Sequence, residues 1–333
     1  MILITAEELV KKTGVGTYIQ ISDEYSYSLP APKSINNELY GQFKEESVSF
    51  PKTFIIRLPE AIVAGEIGIA IYKEYLIEDT GIRKEFLPYP DIIKVDRDCT
   101  SISHLWANNN YFHWLLSSLP RTYLLKEANM FNKDDLFFVN SLNKYEIDGF
   151  IKSGMRYVQP NNDKWWKCKN LTISSPMSND SITSPIGCKY LRDNLTTDRK
   201  SSIEKVAIRR KSGRTIVNDK DVYEYLESIG YVSIYCEDYS FEDQISLFNG
   251  AKYVVSPHGA GLANIVFCRE GTKVLELLSP SYLNACFRKV AAYSGLDYYF
   301  LIGEGEISLE ENPKSDILID MNKLKKTIER MIC

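Results

Sequence analysis

The residues best suited to chemistry gather in one stretch, Ala251-Lys-Tyr-Val-Val-Ser-Pro-His-Gly-Ala-Gly-Leu-Ala-Asn-Ile-Val-Phe. Tyr253, Val254 and Val255 are strand formers, Pro257 ends a ladder, and Gly259 and Gly261 carry no Cβ that would keep an anion from the backbone. A helix opening at Ala260 would turn its first N–H groups and the positive end of its dipole toward whatever sits in the turn. His258 adds a ring donor, and Asn264 places an amide in the first turns of that helix. The chemistry this suits is the binding of a diphosphate.

Two neighbouring runs extend the idea to a nucleotide. Gly271-Thr-Lys-Val-Leu-Glu-Leu-Leu reads as the next buried strand, with Glu276 near its carboxyl end, where an acidic side chain accepts from a ribose hydroxyl in open parallel sheets. Arg209, Arg210 and Arg214 follow a strand at Lys205-Val-Ala-Ile, where a guanidinium fork can hold phosphate oxygens in pairs or simply form a solvated basic turn. Asn218 has the place of a helix cap. Asp96-Arg-Asp98 has the spacing of a divalent-ion motif, but in a charged turn such a pair is common, and no metal site is assigned to it. The diphosphate charge is then balanced by the protein's own cations and dipoles.

The elements that must position these groups fall into two regions. Residues 1–100 read as short strands between glycine and proline turns, Trp114, Leu115, Leu119, Tyr123 and Leu124 have helical spacing with a kink at Pro120, and 135–158 alternate strand, helix, strand. Between Pro160 and Pro185 the chain is polar and aperiodic apart from Leu171-Thr-Ile-Ser, and the link between regions is expected around 175–200. There Trp165-Trp166 is a candidate sugar platform or half of an interface. From Lys205 to Leu277 strands and helices alternate regularly, which predicts a doubly wound parallel sheet with Phe248 in its core. A charged amphipathic helix over Asp320–Met331 closes the chain and is expected to pack on the first lobe.

These blocks carry a family resemblance. Phe241-Glu-Asp-Gln-Ile-Ser-Leu-Phe, the His258-Gly-Ala-Gly-Leu-Ala-Asn run, Gly271 through Glu276, Ile208-Arg-Arg-Lys-Ser-Gly-Arg-Thr-Ile-Val-Asn-Asp and Asn110-Tyr-Phe-His-Trp-Leu-Leu-Ser-Ser-Leu-Pro-Arg together resemble glycosyltransferase family 61, across roughly residues 100 to 280. The resemblance implies an α/β, GT-B-like fold of two Rossmann-like lobes with a nucleotide-sugar cleft between them, divided as 1–185 for the acceptor and 186–333 for the donor. It implies an inverting, metal-independent transfer from a nucleotide sugar, expected to be UDP-linked, with no other cofactor. The acceptor would be a glycan or lipid-linked oligosaccharide of capsule or lipopolysaccharide assembly. On this reading His258, Gly259, Ala260, Gly261, Asn264, Arg210, Arg214 and Glu276 bind the donor, and Asn110, Trp114 and Arg121 bind the acceptor. The catalytic base is His113, whose imidazole titrates at about 6.5 when unperturbed, or a carboxylate, with Asp98, Asp96 and Glu24 available. A pyruvyl or phosphosugar transferase, or an inactive glycan-binding subunit, are the alternatives.

Bulk properties exclude other classes. The 333 residues suffice for two domains, and 44% hydrophobic with 25% charged residues is the balance of a globular protein. A net charge of −4 without a basic run gives no footprint for nucleic acid. The absence of a leader or an apolar span leads us to expect a cytoplasmic protein. A lipid-linked acceptor would draw it to the inner face of a membrane, although no strongly basic amphipathic helix is there to hold it. Seven scattered cysteines predict neither a disulfide framework nor a zinc site, but reduced thiols.

Overall fold

The computed structural model describes all residues except 36–38, 66–67, 82–90, 162–163, 180–183, 309 and 333. The chain divides into one unit of residues 1–26 with 49–190 and a second of 27–48 with 191–333. A stretch from the N-terminal quarter therefore folds with the C-terminal part.

The first unit is built on a mixed sheet of ten strands. Its order is Ile2–Ile4, Tyr75–Ile77, Ile69–Tyr72, Ile62–Ala64, Trp165–Ser174, Ile92–Ser101, Leu136–Val139 and Tyr157–Pro160, with Thr53–Pro59 and Thr17–Ser22 branching from it. The central strand, Trp165–Ser174, runs parallel to Ile92–Ser101 and antiparallel to Ile62–Ala64 and Thr53–Pro59. The sequence reading set Leu171-Thr-Ile-Ser apart within an otherwise aperiodic 160–185; the strand contains that run and begins six residues earlier. Its polar Lys167, Lys169 and Asn170 hide the strand from a pattern reading, while Leu171, Ile173 and Cys168 face the core. Trp165 packs with Ala64, Ile69, Ile71 and Leu76, and Trp166 lies 5.4 Å from the Phe138 ring, so the two indoles are core residues and not a sugar platform. Leu136–Val139, the helix Lys144–Lys152 and Tyr157–Pro160 form the expected strand–helix–strand unit.

The second unit holds five parallel strands in the order Val232–Ile234, Lys205–Ile208, Tyr253–Pro257, Lys273–Leu278, Asp297–Ile302. Numbered along the chain this is 2-1-3-4-5, so winding reverses between Lys205–Ile208 and Tyr253–Pro257, the point where open α/β sheets collect ligands at their carboxyl ends. The segment after Gly259 is a 3₁₀ helix, Ala260–Phe267, where an α-helix was expected. Residues 262–267 are buried throughout, and the segment packs on both Phe241–Gly250 and Cys286–Tyr293. The narrower 3₁₀ cylinder suits that confinement.

Residues 27–48 are fastened to this unit by the buried Arg288. Its guanidinium donates to the carbonyls of Pro30, Gln42 and Glu45 at 2.8–3.2 Å, Lys289 pairs with Glu45 at 3.0 Å, and Phe43 lies 4.8 Å from Phe300. The last helix, Met321–Ile332, buries Leu324, Ile328 and Met331 against Leu301 and Ile319 of its own unit, not against the first lobe as the sequence suggested. Cys99, Cys168, Cys188, Cys236, Cys268 and Cys286 are buried, and Cys333 lies outside the described residues. Among the described residues no helix is long and apolar enough to cross a membrane.

One carboxylate of the first unit sets a pH effect. Asp79 Oδ1 accepts the Ala6 N–H at 2.8 Å at the start of the helix Ala6–Thr13, and burial pushes its pKa up to about 6. An acid whose folded pKa is raised lowers stability as pH climbs from the unfolded value toward 6, because the unfolded chain ionises first. Asp79→Asn keeps the acceptor without the charge. Urea denaturation should show the variant more stable by on the order of 1–2 kcal/mol at pH 7, with the gain gone below about pH 4.

Candidate functional site

At the reversal point of the second unit, strand ends and turns bring together four of the side chains singled out by type and spacing. Arg209 is the first residue past Lys205–Ile208 and turns away: it pairs with Asp219 at 2.5 Å and lies 4.6 Å over the Tyr223 ring. Arg210 turns inward. Its Nε donates to Gly213 O at 2.6 Å and its Nη2 to Ser212 O at 3.2 Å, and its Nη1 fills the place of a side chain at Gly259, where an added Cβ would stand 1.6 Å away. Burial, and then the charge of Arg214, hold the Arg210 guanidinium below its usual pKa. Two cations side by side with that effect form an electrostatic demand for an anion.

Arg214 has a left-handed backbone, φ 54°, uncommon for a residue with a Cβ and often found at functional turns. Its Nε donates to the carbonyl of His258 at 2.9 Å, its Nη1 to Pro313 O, and its guanidinium lies 5.5 Å over the Tyr282 ring. Ala260 and Gly261 are half-buried beside this group, and Gly259 is buried beneath Arg210.

His258 ends the third strand of the chain order and is buried. Its backbone N–H donates to Leu277 O at 2.9 Å, and its Nδ1 stands 2.5 Å from Glu276 Oε1. Tyr298 O–H donates to the other carboxylate oxygen, and burial together with that carboxylate raises the tyrosine pKa well above its ordinary value. Glu276 is fully buried, so it orients the imidazole and does not reach a ribose hydroxyl as the sequence reading had it. With the carboxylate accepting at Nδ1, the ring carries its proton there and presents Nε2, flanked by Tyr282 and Phe287 at 5.2 and 5.1 Å. Asn264 Nδ2 donates to Gln244 Oε1 at 2.8 Å and Gly261 O at 3.0 Å, fixing the glycine turn from inside. Asn218 binds Ile319 through both amide atoms instead of capping the helix Asp219–Ser228.

The acceptor-side candidates lie in the first unit, on a helical run whose ladder changes pitch. Asn110 Oδ1 caps it by accepting from His113 N at 3.5 Å, Tyr111–His113 is α-helical, and Trp114–Ser118 is a π turn closed by Leu119 N to Trp114 O at 2.9 Å. Pro120 has no N–H for Leu116 O, and the widened turn precedes it. His113 is half-buried, with Nδ1 3.4 Å from Ser117 Oγ, its ring stacked 5.7 Å from His104 and 5.6 Å from Trp106. Burial, then the nearby Arg121 and His113, drive the His104 pKa down to about 2, so that imidazole is neutral. Trp114 and Arg121 are buried, which removes both as direct acceptor contacts. Arg121 donates to Ser103 O at 2.7 Å and, with its pKa lowered by burial to about 10, remains a cation behind the histidines.

Asp98 and Asp96 lie in the strand Ile92–Ser101, not in a turn. Asn170 at 2.8 Å and Arg57 at 2.5 Å occupy the Asp98 carboxylate and hold its pKa below the usual range, which makes it a poor base, while Asp96 and Glu24 are exposed. His104, Trp106, Tyr282 and Tyr298 were not singled out from sequence; the crowding of two of three histidines into ten residues was the one available signal.

Gly259 gives the sharpest test of the diphosphate corner. Its φ of 166° is open to any residue, so Gly259→Ala only displaces the flexible end of Arg210. The variant should keep its thermal midpoint within experimental error while its affinity for a nucleoside diphosphate, measured by calorimetry, falls about tenfold.

Residues 111–275 match the family Glycosyltransferase 61. Beta-1,2-xylosyltransferase RCN11 of Oryza sativa subsp. japonica is 26% identical over 129 residues, covering 33% of this chain and 24% of the relative. Beta-1,2-xylosyltransferase of Arabidopsis thaliana is 32% identical over 60 residues, 18% of this chain and 11% of the relative. The chain thus spans a quarter or less of the length of these curated relatives. The matched segment contains Arg210, Arg214 and the His258 turn and ends one residue short of Glu276, so this half of the chain is similar to glycosyltransferase 61.

Proposed function

We propose that this protein transfers a sugar, with inversion, from a nucleotide diphosphate sugar to a hydroxyl of a glycan, and that its two units divide the work in the GT-B manner, the second serving the donor and the first the acceptor. The observation that carries the reading is the convergence of Arg210, Arg214 and His258 around Gly259 at the reversal point of the parallel sheet. The two guanidinium groups meet the diphosphate oxygens, and the His258 ring, held at Nδ1 by Glu276, offers Nε2 to the leaving group as negative charge develops. Nε2 donates to the leaving group when it carries a proton, and Glu276 at Nδ1 keeps the ring turned for that contact. The acceptor proton goes to His113, a half-buried imidazole. No cofactor beyond the donor is required by this scheme.

The donor is proposed as UDP-linked, and the names of the plant relatives add UDP-xylose to the sugars worth offering. The acceptor is proposed as a surface-polysaccharide intermediate of the capsule or lipopolysaccharide kind, on the strength of the sequence resemblance.

Two measurements test this. A panel of nucleotides in a thermal shift assay should raise the melting temperature with one base preferred, since a ligand of the native state stabilises it by mass action. His258→Ala should retain the fold by circular dichroism and lose at least about 100-fold in transfer rate; turnover that survives this change refutes the assignment.

A further inference from the structure

The turn Ile102–Ala107, which precedes the matched family segment, is built too firmly to be a mere connection. Ile102 N–H donates to Phe138 O at 3.1 Å, Ser118 Oγ to Ile102 O at 2.6 Å, Arg121 to Ser103 O at 2.7 Å, His104 N–H to Asn140 Oδ1 at 2.8 Å, and Ala107 N–H to His104 O at 2.9 Å. Gly68, at φ 68°, lets the turn approach so closely that a Cβ there would stand 2.6 Å from Ser103 Cβ. On this rigid base stands Trp106, 45% exposed, while Trp114 and Trp165 are buried. An indole left in water is ordinarily anchored by its neighbours, and here the neighbours are two imidazoles, His113 at 5.6 Å and His104 at 6.2 Å. His104 is buried with Nδ1 lacking a hydrogen-bond partner among the described residues, and Arg121 is buried with Nε likewise unmatched. An exposed indole face beside the half-buried His113 imidazole is what a pyranose recognises, since its C–H faces stack on aromatic rings while its hydroxyls seek donors and acceptors.

We propose that Trp106, with His113 and His104, forms a pyranose-binding platform for the acceptor glycan. The inference rests on the reading of the first unit as the acceptor side. Stacking on Trp106 sets the plane of the sugar, and His113 then stands beside the ring to receive a hydroxyl proton. Burial, and then the cation of Arg121, keep His104 neutral at the back of the platform, and Arg121, which fixes the turn through Ser103 O, is a positioning residue.

The test uses the whole chain. Binding of methyl hexopyranosides and methyl pentopyranosides, at concentrations up to about 50 mM, the range in which single sugars bind weak sites, is followed by calorimetry. A saturable signal in the wild type is expected with at least one glycoside; Trp106→Ala should abolish it and Trp106→Phe should weaken it about tenfold. The same variants should show the wild-type thermal shift with UDP, because the donor corner lies in the other unit. Absence of any saturable signal in the wild type, or a signal that survives in Trp106→Ala, overturns the platform. A wild type without a UDP shift but with a Trp106-dependent sugar signal would instead overturn the donor reading and leave the platform standing. Loss of the UDP shift in Trp106→Ala alone would show that the indole serves the nucleotide and not the glycan.

Discussion

The buried carboxylate of Glu276 is the constraint on which the corner around the glycine turn depends. An isolated carboxylate so far from water would be strongly unfavourable, and it is tolerated because each oxygen receives one donor, His258 Nδ1 on one side and Tyr298 O–H on the other. Those two donors come from the strands flanking Lys273–Leu278, so one acid ties three neighbouring strands together at the end where a ligand would sit. Everything nearer the surface follows. The His258 carbonyl takes Arg214, Arg214 lies on Tyr282, and Tyr282 closes edge-on against the His258 ring. Removing the charge would release a ring, a cation and an aromatic wall together.

The two sets of histidines illustrate how surroundings separate one residue type into different tasks. His258 is backed by the buried Glu276 carboxylate at Nδ1, and its own carbonyl accepts from Arg214, an arrangement that fixes the orientation of the ring. His104 is backed by a buried guanidinium and apolar packing, an arrangement that forbids a charged ring. Polarity of the second layer decides in each case, not the imidazole itself.

Four of the five strands of the second unit were legible because their apolar runs recur with helical spacers, while Asp297–Ile302 lay beyond the series that was read; the glycine turn was legible because Pro257, Gly259 and Gly261 leave few conformations. Glu276 shows the limit of such reading. Its place near a strand end was correct, but which way a side chain turns depends on neighbours from distant sequence, here Tyr298 and His258. The first half of Trp165–Ser174 was missed for a related reason: a strand paired on both sides needs no clean alternation when a polar residue such as Lys167 finds a partner in Glu60. Arg121 had the spacing of a surface group on the helical face of His113, and only the tertiary turn at Ser103 accounts for its burial. The π turn at Trp114–Ser118 shifts that face by part of a turn, which no 3.6-residue pattern anticipates.

The seat of residues 27–48 beneath Arg288 has a consequence for how the molecule is made. Vectorial synthesis delivers Pro30, Gln42 and Glu45 long before their guanidinium leaves the ribosome, so their carbonyls must wait, solvated, while some 240 further residues are added. The second unit can finish only after translation is nearly complete. A gene fusion or domain exchange cut near residue 190 would separate Arg288 from all three of its acceptors, which makes this protein a poor donor of interchangeable modules despite its two tidy halves.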